Sequence, residues 1–245
     1  MARDETLTDA ALGALVGALP FPCISVPGEQ ALATWERMRA EGGGWPVILG
    51  SDQDLRKLAL RDRLAAGRLA ANLTEAAGLE LPQALQAFCA SRQAEDADDF
   101  DDEAMAPLER GEWPAEATPQ SGPVMVRHGS GGFHPRVHLA SLPVRDGAEA
   151  LALLDWGGWN DVPPAPLLVA ALRDWQARFG AELVAVNQDT LELRVARPPA
   201  TRDAAMALAE EQAAWCEDIV TQGTETVAAL AAGLLDSPWW FFWWD

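Results

Sequence analysis

Cysteine is scarce in this sequence, and its scarcity excludes two ways of stabilising a small fold. Only Cys23, Cys89 and Cys216 are present, far apart and never as a Cys-x-x-Cys pair. Such spacing supports neither a disulfide framework nor a zinc knuckle, and it is typical of a reducing compartment. We therefore expect three free thiols that pack as small hydrophobic side chains.

Long hydrophobic runs are also missing, and we expect the N-terminal segment not to be a signal sequence. The chain opens with net acidic residues, and its first apolar positions are periodic rather than continuous, unlike those of a secretory signal peptide. No apolar run approaches the roughly 18 residues that a membrane span needs. We therefore expect a cytoplasmic protein with no membrane partner.

Basic residues are outnumbered by acidic ones. Asp and Glu total 37 against 18 Lys and Arg, so the formal net charge is −19. A field of this sign repels nucleic-acid phosphates and anionic lipids, so we expect no nucleic-acid partner. It suits a basic protein partner, although simple solubility is the other explanation of the same charge.

Tyrosine is absent, whereas tryptophan occurs eleven times. The closing segment Trp239–Trp244 holds four of these indoles and two phenylalanines. Each buried aromatic ring removes roughly 150–250 Å² from water, so this segment predicts a buried C-terminus.

Strand and helix patterns alternate in the first half of the chain. Residues 23–26 and 45–49 are predicted strands on either side of a predicted helix over 29–41. This order is typical of a βαβ unit. A long Ala- and Leu-rich region over 54–93 predicts further helices.

The second half predicts a helix over 166–179, followed by a hairpin of 182–186 with 190–195. Thr201 is a predicted cap of a helix that continues to about Gln222, and Thr224 caps the next. With the βαβ unit, these elements predict an α+β fold, a mixed and partly antiparallel sheet flanked by helices.

A change in composition divides the chain. Residues 95–122 open with seven acids in nine positions and then contain several prolines, which is typical of a linker or surface insertion. We predict an N-terminal α/β lobe over 1–94 and a C-terminal α+β domain over 123–245. If the acidic run binds a partner, the residues are Glu95, Asp96, Asp98, Asp99, Asp101, Asp102 and Glu103.

Four blocks of the C-terminal part of the chain are distinctive together: Gly157–Asp161, Arg173–Pro199, Ala205–Gly223 and Ser237–Asp245. In these blocks the chain resembles the bacterial domain of unknown function numbered 4253. The resemblance covers about a hundred residues and implies a shared fold, but no activity and no catalytic residues. The segments FPCISVPGEQALATWERMR and WPVILGS are similar to a leading region often attached to that domain.

The turn Trp-Gly-Gly-Trp-Asn-Asp is the best single candidate for a ligand or partner surface. Its glycines allow a tight bend that brings Trp156 and Trp159 together, beside the polar side chains of Asn160 and Asp161. The alternative is a structural corner, in which the indoles pack into the core.

The three histidines lie close together in the sequence, as His128, His134 and His138. They are the metal candidates, but His134 and His138 would be about 13 Å apart along a strand, too far for one ion without a bend. The alternative is a set of satisfied or exposed side chains, so we expect no cofactor.

Three functions stay open at this point. The first is an acidic protein-binding module, of the immunity or inhibitor type, that neutralises a basic partner. The second is a small-ligand or metal-dependent enzyme with a cleft beside Trp156–Asp161, and the third is a structural subunit. No Gly-x-Ser-x-Gly motif is present, and a set such as Ser130, His134 and Asp155 is an arbitrary choice, so no catalytic residue is assigned.

Overall fold

One six-stranded β-sheet organises the part of the chain that the computed structural model describes, residues 8–59, 68–99, 107–117, 119, 122–129 and 131–245. The order across the sheet is β1-β3-β2-β4-β5-β6. The strands are β1 (Cys23–Val26), β2 (Trp45–Gly50), β3 (Val137–Leu142), β4 (Ala181–Val186), β5 (Thr190–Val195) and β6 (Trp239–Trp243).

Helices surround this sheet, and the predicted α+β fold is confirmed. Four of them begin at a Thr or Asp whose side-chain oxygen accepts a hydrogen bond from the first turn, as at Thr201. The helices are α1 (Asp9–Ala18), α2 (Gly28–Glu41), α3 (Asp52–Ala59), α4 (Leu69–Ala77), α5 (Leu81–Asp99), α6 (Gly147–Leu154), α7 (Ala165–Phe179), α8 (Arg202–Trp215) and α9 (Val227–Leu234), with a π-helical segment at Ile219–Thr224. Within the described ranges, none of them is long and apolar enough to cross a bilayer.

The predicted βαβ unit is present, with a third strand inserted into it. β1 and β2 each pair antiparallel with β3, so they run parallel to each other with β3 between them. β3 comes from the second half of the chain. The predicted lobes, 1–94 and 123–245, therefore share one sheet.

The C-terminal half supplies the other edge of the sheet. β4 and β5 form the predicted hairpin, and β6 pairs antiparallel with β5. β4 joins the first half by parallel pairing with β2, where Ile48 lies opposite Ala185. Parallel pairing brings the carboxyl ends of β2 and β4 to the same end of the sheet.

The aromatic C-terminus lies in the core, as predicted. Trp240 and Phe242 on β6 are both 0% exposed. The ring of Trp175 on α7 stacks on Phe242 at 5.3 Å between centroids and meets Trp215 and Trp240 edge-on at 5.6 and 5.9 Å. Such offset and edge contacts add to the stabilisation from burial alone.

The helix from Thr201 ends earlier than predicted. It stops at Trp215, because Cys216 adopts an extended conformation and its thiol donates to the carbonyl oxygen of Trp243. The chain then continues as the π-helical segment, and Thr226 rather than Thr224 caps α9.

Candidate functional site

Polar residues gather where the parallel strands β2 and β4 end. Ser51, Asp52 and Asp54 follow β2, and Asn187 follows β4. The two groups meet, since the Asn187 Nδ2 donates to Asp54 Oδ1 at 3.1 Å. The carboxyl ends of parallel strands are where α/β sheets commonly bind their ligands.

A capping box fixes the start of α3. The Ser51 amide donates to Asp54 Oδ2 at 2.8 Å, and the Asp54 amide points back at Ser51 Oγ at 3.4 Å. This reciprocal pair satisfies two backbone donors of the first helical turn. It also holds Asp52, which lies between the two residues, in a set position at the end of the sheet.

Asp52 is a buried carboxylate that contacts the side chains of Arg136 and His138. Arg136 binds it through two parallel hydrogen bonds, Nε to Oδ1 at 2.8 Å and Nη2 to Oδ2 at 2.5 Å. His138 Nε2 lies 2.8 Å from the same Oδ1. Asp52 is 4% exposed and His138 is 0% exposed, so the contacts are shielded from water. The two hydrogen bonds from the Arg136 guanidinium favour the ionised form of this carboxylate.

Ser25 completes the series from the neighbouring strand. Its Oγ lies 3.0 Å from His138 Nδ1, and the two residues are direct partners across β1 and β3. The Ser141 amide donates to the Pro22 carbonyl, so alternation along the ladder makes Ser25 and His138 a non-hydrogen-bonded pair. Side chains of such pairs lie closest together. Unlike His138, Ser25 is exposed.

The direction of these hydrogen bonds follows from the charge of Asp52. An ionised carboxylate only accepts hydrogen bonds, so His138 Nε2 carries the hydrogen and donates a hydrogen bond to Asp52. In a neutral imidazole Nδ1 is then the acceptor, and the Ser25 hydroxyl donates to it. We name Ser25, His138, Asp52 and Arg136 the Ser25 relay.

Burial keeps His138 neutral. Desolvation lowers the pKa of His138 from its usual 6.5; the hydrogen bond and charge of Asp52 act in the opposite direction, and the charge of Arg136 adds to the lowering. At neutral pH the Nδ1 lone pair is therefore available to a hydroxyl proton.

The other two histidines lie on a short hairpin that precedes β3. Its ends meet where the His134 amide donates to the Val126 carbonyl, and Arg127 bridges to Phe133. The rings of His128 and His134 lie 5.8 Å apart. Across the described parts of the chain, no group of three or more His, Cys, Asp or Glu could hold a metal ion.

The Trp-Gly-Gly-Trp-Asn-Asp turn lies against the end of β4. Trp156 is 2% exposed, and its Nε1 donates to the Asn187 carbonyl at 2.6 Å. Trp159 meets it edge-on at 5.5 Å and donates to the Gln188 carbonyl at 3.0 Å. Asn160 is exposed, with a left-handed φ of 45°. Trp156 therefore belongs to the core, and its hydrogen bond fixes the backbone carbonyl of Asn187.

The structure describes only some of the remaining residues that were predicted to form a ligand or partner surface. Asp161 is half-buried and forms an ion pair with Arg92 at 3.0 Å. Of the acidic run, residues 95–99 are helical, since α5 ends at Asp99. Asp101, Asp102 and Glu103 lie outside the described residues.

Comparison with known families gives one match. Residues 138–245 match a family model described as a domain of unknown function (DUF4253). The predicted resemblance of the C-terminal part of the chain to this family is confirmed over these residues. No curated protein and no solved structure matches the chain. The matched segment begins at His138 and includes Asn187, whereas Ser25, Asp52 and Arg136 precede it, so the Ser25 relay spans the matched segment and the region before it.

Sequence reasoning missed Ser25, Asp52, Asp54 and Asn187. Two local signals were present. Ser51-x-x-Asp54 directly after a buried strand is a capping-box pattern. Asn187 lies in a tight turn, where its Oδ1 accepts from the amides of Asp189 and Thr190. Neither signal reveals Ser25, which is brought to His138 by pairing over 113 residues of sequence.

Proposed function

We propose that this protein hydrolyses an ester or amide bond, with Ser25 as the nucleophile and His138 as the general base. The observation that carries the proposal is the series of hydrogen bonds from Ser25 Oγ to His138 Nδ1, at 3.0 Å, and from His138 Nε2 to Asp52, at 2.8 Å. A nucleophile, a base and a group that orients the base are the three parts of a catalytic triad.

The first half of the reaction forms an acyl-enzyme. Ser25 Oγ attacks the substrate carbonyl carbon while the hydroxyl proton moves to His138 Nδ1. The carbonyl electrons move to oxygen, and the tetrahedral intermediate collapses by breaking the bond to the leaving alcohol or amine. That leaving group takes the proton from Nδ1, so the enzyme holds an ester at Ser25 and a neutral imidazole.

Water completes the cycle. A water molecule gives a proton to His138 Nδ1 and attacks the ester carbon, and the second intermediate releases a carboxylic acid as Ser25 Oγ recovers the proton. In both halves Asp52 accepts from Nε2 and stabilises the imidazolium. Arg136 orients Asp52 through its hydrogen bonds. Its positive charge also disfavours the imidazolium and so lowers the basicity of His138.

A fluorophosphonate probe tests the proposal directly. Attack by an activated serine displaces fluoride and leaves a stable phosphonyl group, which peptide mass spectrometry locates. We expect labelling at Ser25 that is lost in Ser25→Ala and in His138→Gln. Ser91 is an exposed serine whose Oγ donates to Phe88, so Ser91→Ala is the matched control and retains labelling. A folded protein that stays unlabelled at Ser25 contradicts the proposal.

Binding of a basic protein is the second candidate function, supported by the net charge of −19. Seven of the acids lie within residues 95–103, which concentrates the field in one segment. Long-range attraction of this kind accelerates association and weakens as salt rises. An inhibitor of a basic enzyme would use such a surface.

Native mass spectrometry of the protein purified at low salt from its own host tests this second function. A basic protein is expected to co-purify and to dissociate as salt rises. Substitution of Asp98, Asp99, Asp101 and Asp102 by Asn is expected to remove it. The control makes the same change in charge elsewhere, at Glu75, Glu80, Glu112 and Glu116 by Gln. Equal loss in both variants contradicts a role of the acidic run.

A further inference from the structure

Within the described residues, the outer edge of β1 has backbone groups that no other strand pairs with. In the alternation that begins with the Ser141–Pro22 hydrogen bond, Ile24 and Val26 turn their amides and carbonyls towards β3. Cys23 and Ser25 therefore turn theirs away from β3. No strand pairs with this edge in the portion of the chain that the structure describes.

The opposite edge of the sheet differs, because neighbouring segments contact the end of β6. At β6, the Cys216 thiol donates to the Trp243 carbonyl at 2.9 Å, and the indole of Trp244 donates to the Trp215 carbonyl at 3.2 Å. At β1, by contrast, Ser25 is exposed and Ile24 is 41% exposed. An open strand edge is a template for an extended peptide.

We propose, as an extension of the acyl transfer proposed above, that the substrate is an extended cationic polypeptide that pairs with β1 as a seventh strand. Its backbone hydrogen-bonds to the open amides and carbonyls of Cys23 and Ser25. The net charge of −19 attracts cationic segments and repels acidic ones, including a second copy of this chain.

Pairing along this edge brings a peptide bond to the nucleophile. A carbonyl oxygen that accepts from the Ser25 amide lies about 2.9 Å from that nitrogen, and its carbon is therefore adjacent to the Ser25 side chain. The same amide then stabilises the oxyanion that forms on attack, as the amide of the nucleophile does in serine proteases. Ile24, on the opposite face of the strand, offers an apolar contact to the added strand.

Binding is measured by fluorescence anisotropy with a labelled peptide of alternating Arg and Val, and with a Glu-Val peptide of the same length. The protein is Ser25→Ala, which retains the backbone amide but cannot cleave the peptide. We expect binding of the Arg-Val peptide that weakens with salt, and at least about tenfold weaker binding of the Glu-Val peptide. Equal binding of the two peptides overturns the proposed charge preference.

The edge itself is tested by adding Cys23→Pro to Ser25→Ala. Proline removes an outward amide and spares the bonds to β3, so the fold is retained and binding weakens about three- to tenfold. Adding Cys23→Ala instead, the matched control, leaves binding unchanged. If Cys23→Pro does not fold, Arg-Val peptides N-methylated at alternate residues replace it. Unchanged binding with Cys23→Pro, or with both N-methylated registers, overturns the proposal.

The two proposals fail separately. Labelling of Ser25 by a fluorophosphonate without peptide binding overturns the peptide substrate and leaves the serine nucleophile in place. Binding through β1 with no labelling of Ser25 overturns the acyl transfer and leaves β1 as a docking edge.

Discussion

The two edges of the sheet differ in the chemistry that borders them. Along β6, large rings are buried, with Trp240 and Phe242 both 0% exposed. The Cys216 thiol donates to the carbonyl at the strand's end, and the indole of Trp244 donates to the Trp215 carbonyl. Along β1, the strand has four residues, two of them exposed, and its polar serine contacts a buried histidine. The aromatic edge stabilises the fold, and that stability supports a polar, partly open edge elsewhere.

An open edge also carries a risk of aggregation, and β1 has features that limit it. Pro22 precedes the strand and Pro27 follows it, so an intruding strand finds few amide donors beyond Cys23 and Ser25. Short edges bordered by proline are a common protection against non-specific pairing. The open region is therefore confined to the residues beside Ser25.

The largest expected effect is on activity at the β1 edge. Asp52→Asn removes the ionised acceptor of His138 Nε2 and lets the imidazole adopt the other tautomer, in which Nδ1 no longer accepts from Ser25. We expect kcat/KM for a p-nitrophenyl ester to fall about 10³- to 10⁴-fold. The control is Asp174→Asn, at an exposed ion pair with Arg178, which leaves the rate unchanged. A fall of less than tenfold in Asp52→Asn would remove Asp52 from the mechanism.

The next effect is on stability, and it separates the edges. Trp240→Ala leaves a cavity in the aromatic core and is expected to reduce the free energy of unfolding by about 3–5 kcal/mol. Ile24→Ala, at a side chain that is 41% exposed, is expected to cost less than about 1 kcal/mol. Urea titration measures both. Similar losses at the two positions would mean that the edges do not differ in stability.

The pH dependence of stability gives a smaller effect, centred on His138. Because the folded state lowers the pKa of His138 below its usual 6.5, the unfolded chain binds more protons in the window just below pH 6.5. Its contribution is therefore complete above pH 6.5 and is lost as the pH falls through the folded pKa. We expect urea midpoints to rise from pH 5 to pH 7 more steeply in the wild type than in His138→Gln. Equal pH slopes of the urea midpoint in the two proteins would contradict this contribution of His138.

The smallest expected effect is a difference in thiol reactivity between the edges. Burial raises the pKa of Cys23 to about 11 and that of Cys216 to about 12, so both are protonated at pH 8. Cys23 is only half-buried, and we expect slow labelling by iodoacetamide that accelerates with pH, while Cys216 reacts only on unfolding. Mass spectrometry of labelled peptides measures the two rates. Faster labelling of Cys216 than of Cys23 in the folded protein would contradict the comparison.

Local patterns in the sequence were sufficient to predict the elements whose defining contacts join residues close in the chain. The hairpin of β4 and β5, the cap at Thr201 and the helix α7 all depend on residues close in the chain, and each is found. The position of β3 between β1 and β2 was not predicted. An inserted strand has the same periodicity as any other, so its neighbours are decided by long-range pairing.

The composition and residue pattern alone determined the α+β class, the buried aromatic C-terminus and the strongly negative charge, because these depend on residue type and local period. Only the tertiary structure decided the Ser25 relay. Ser25 lies 113 residues before His138 in the sequence, and Asp52 lies 86 residues before it. The pairing of β3 with both β1 and β2 brought them together, and this pairing is not encoded within any short segment.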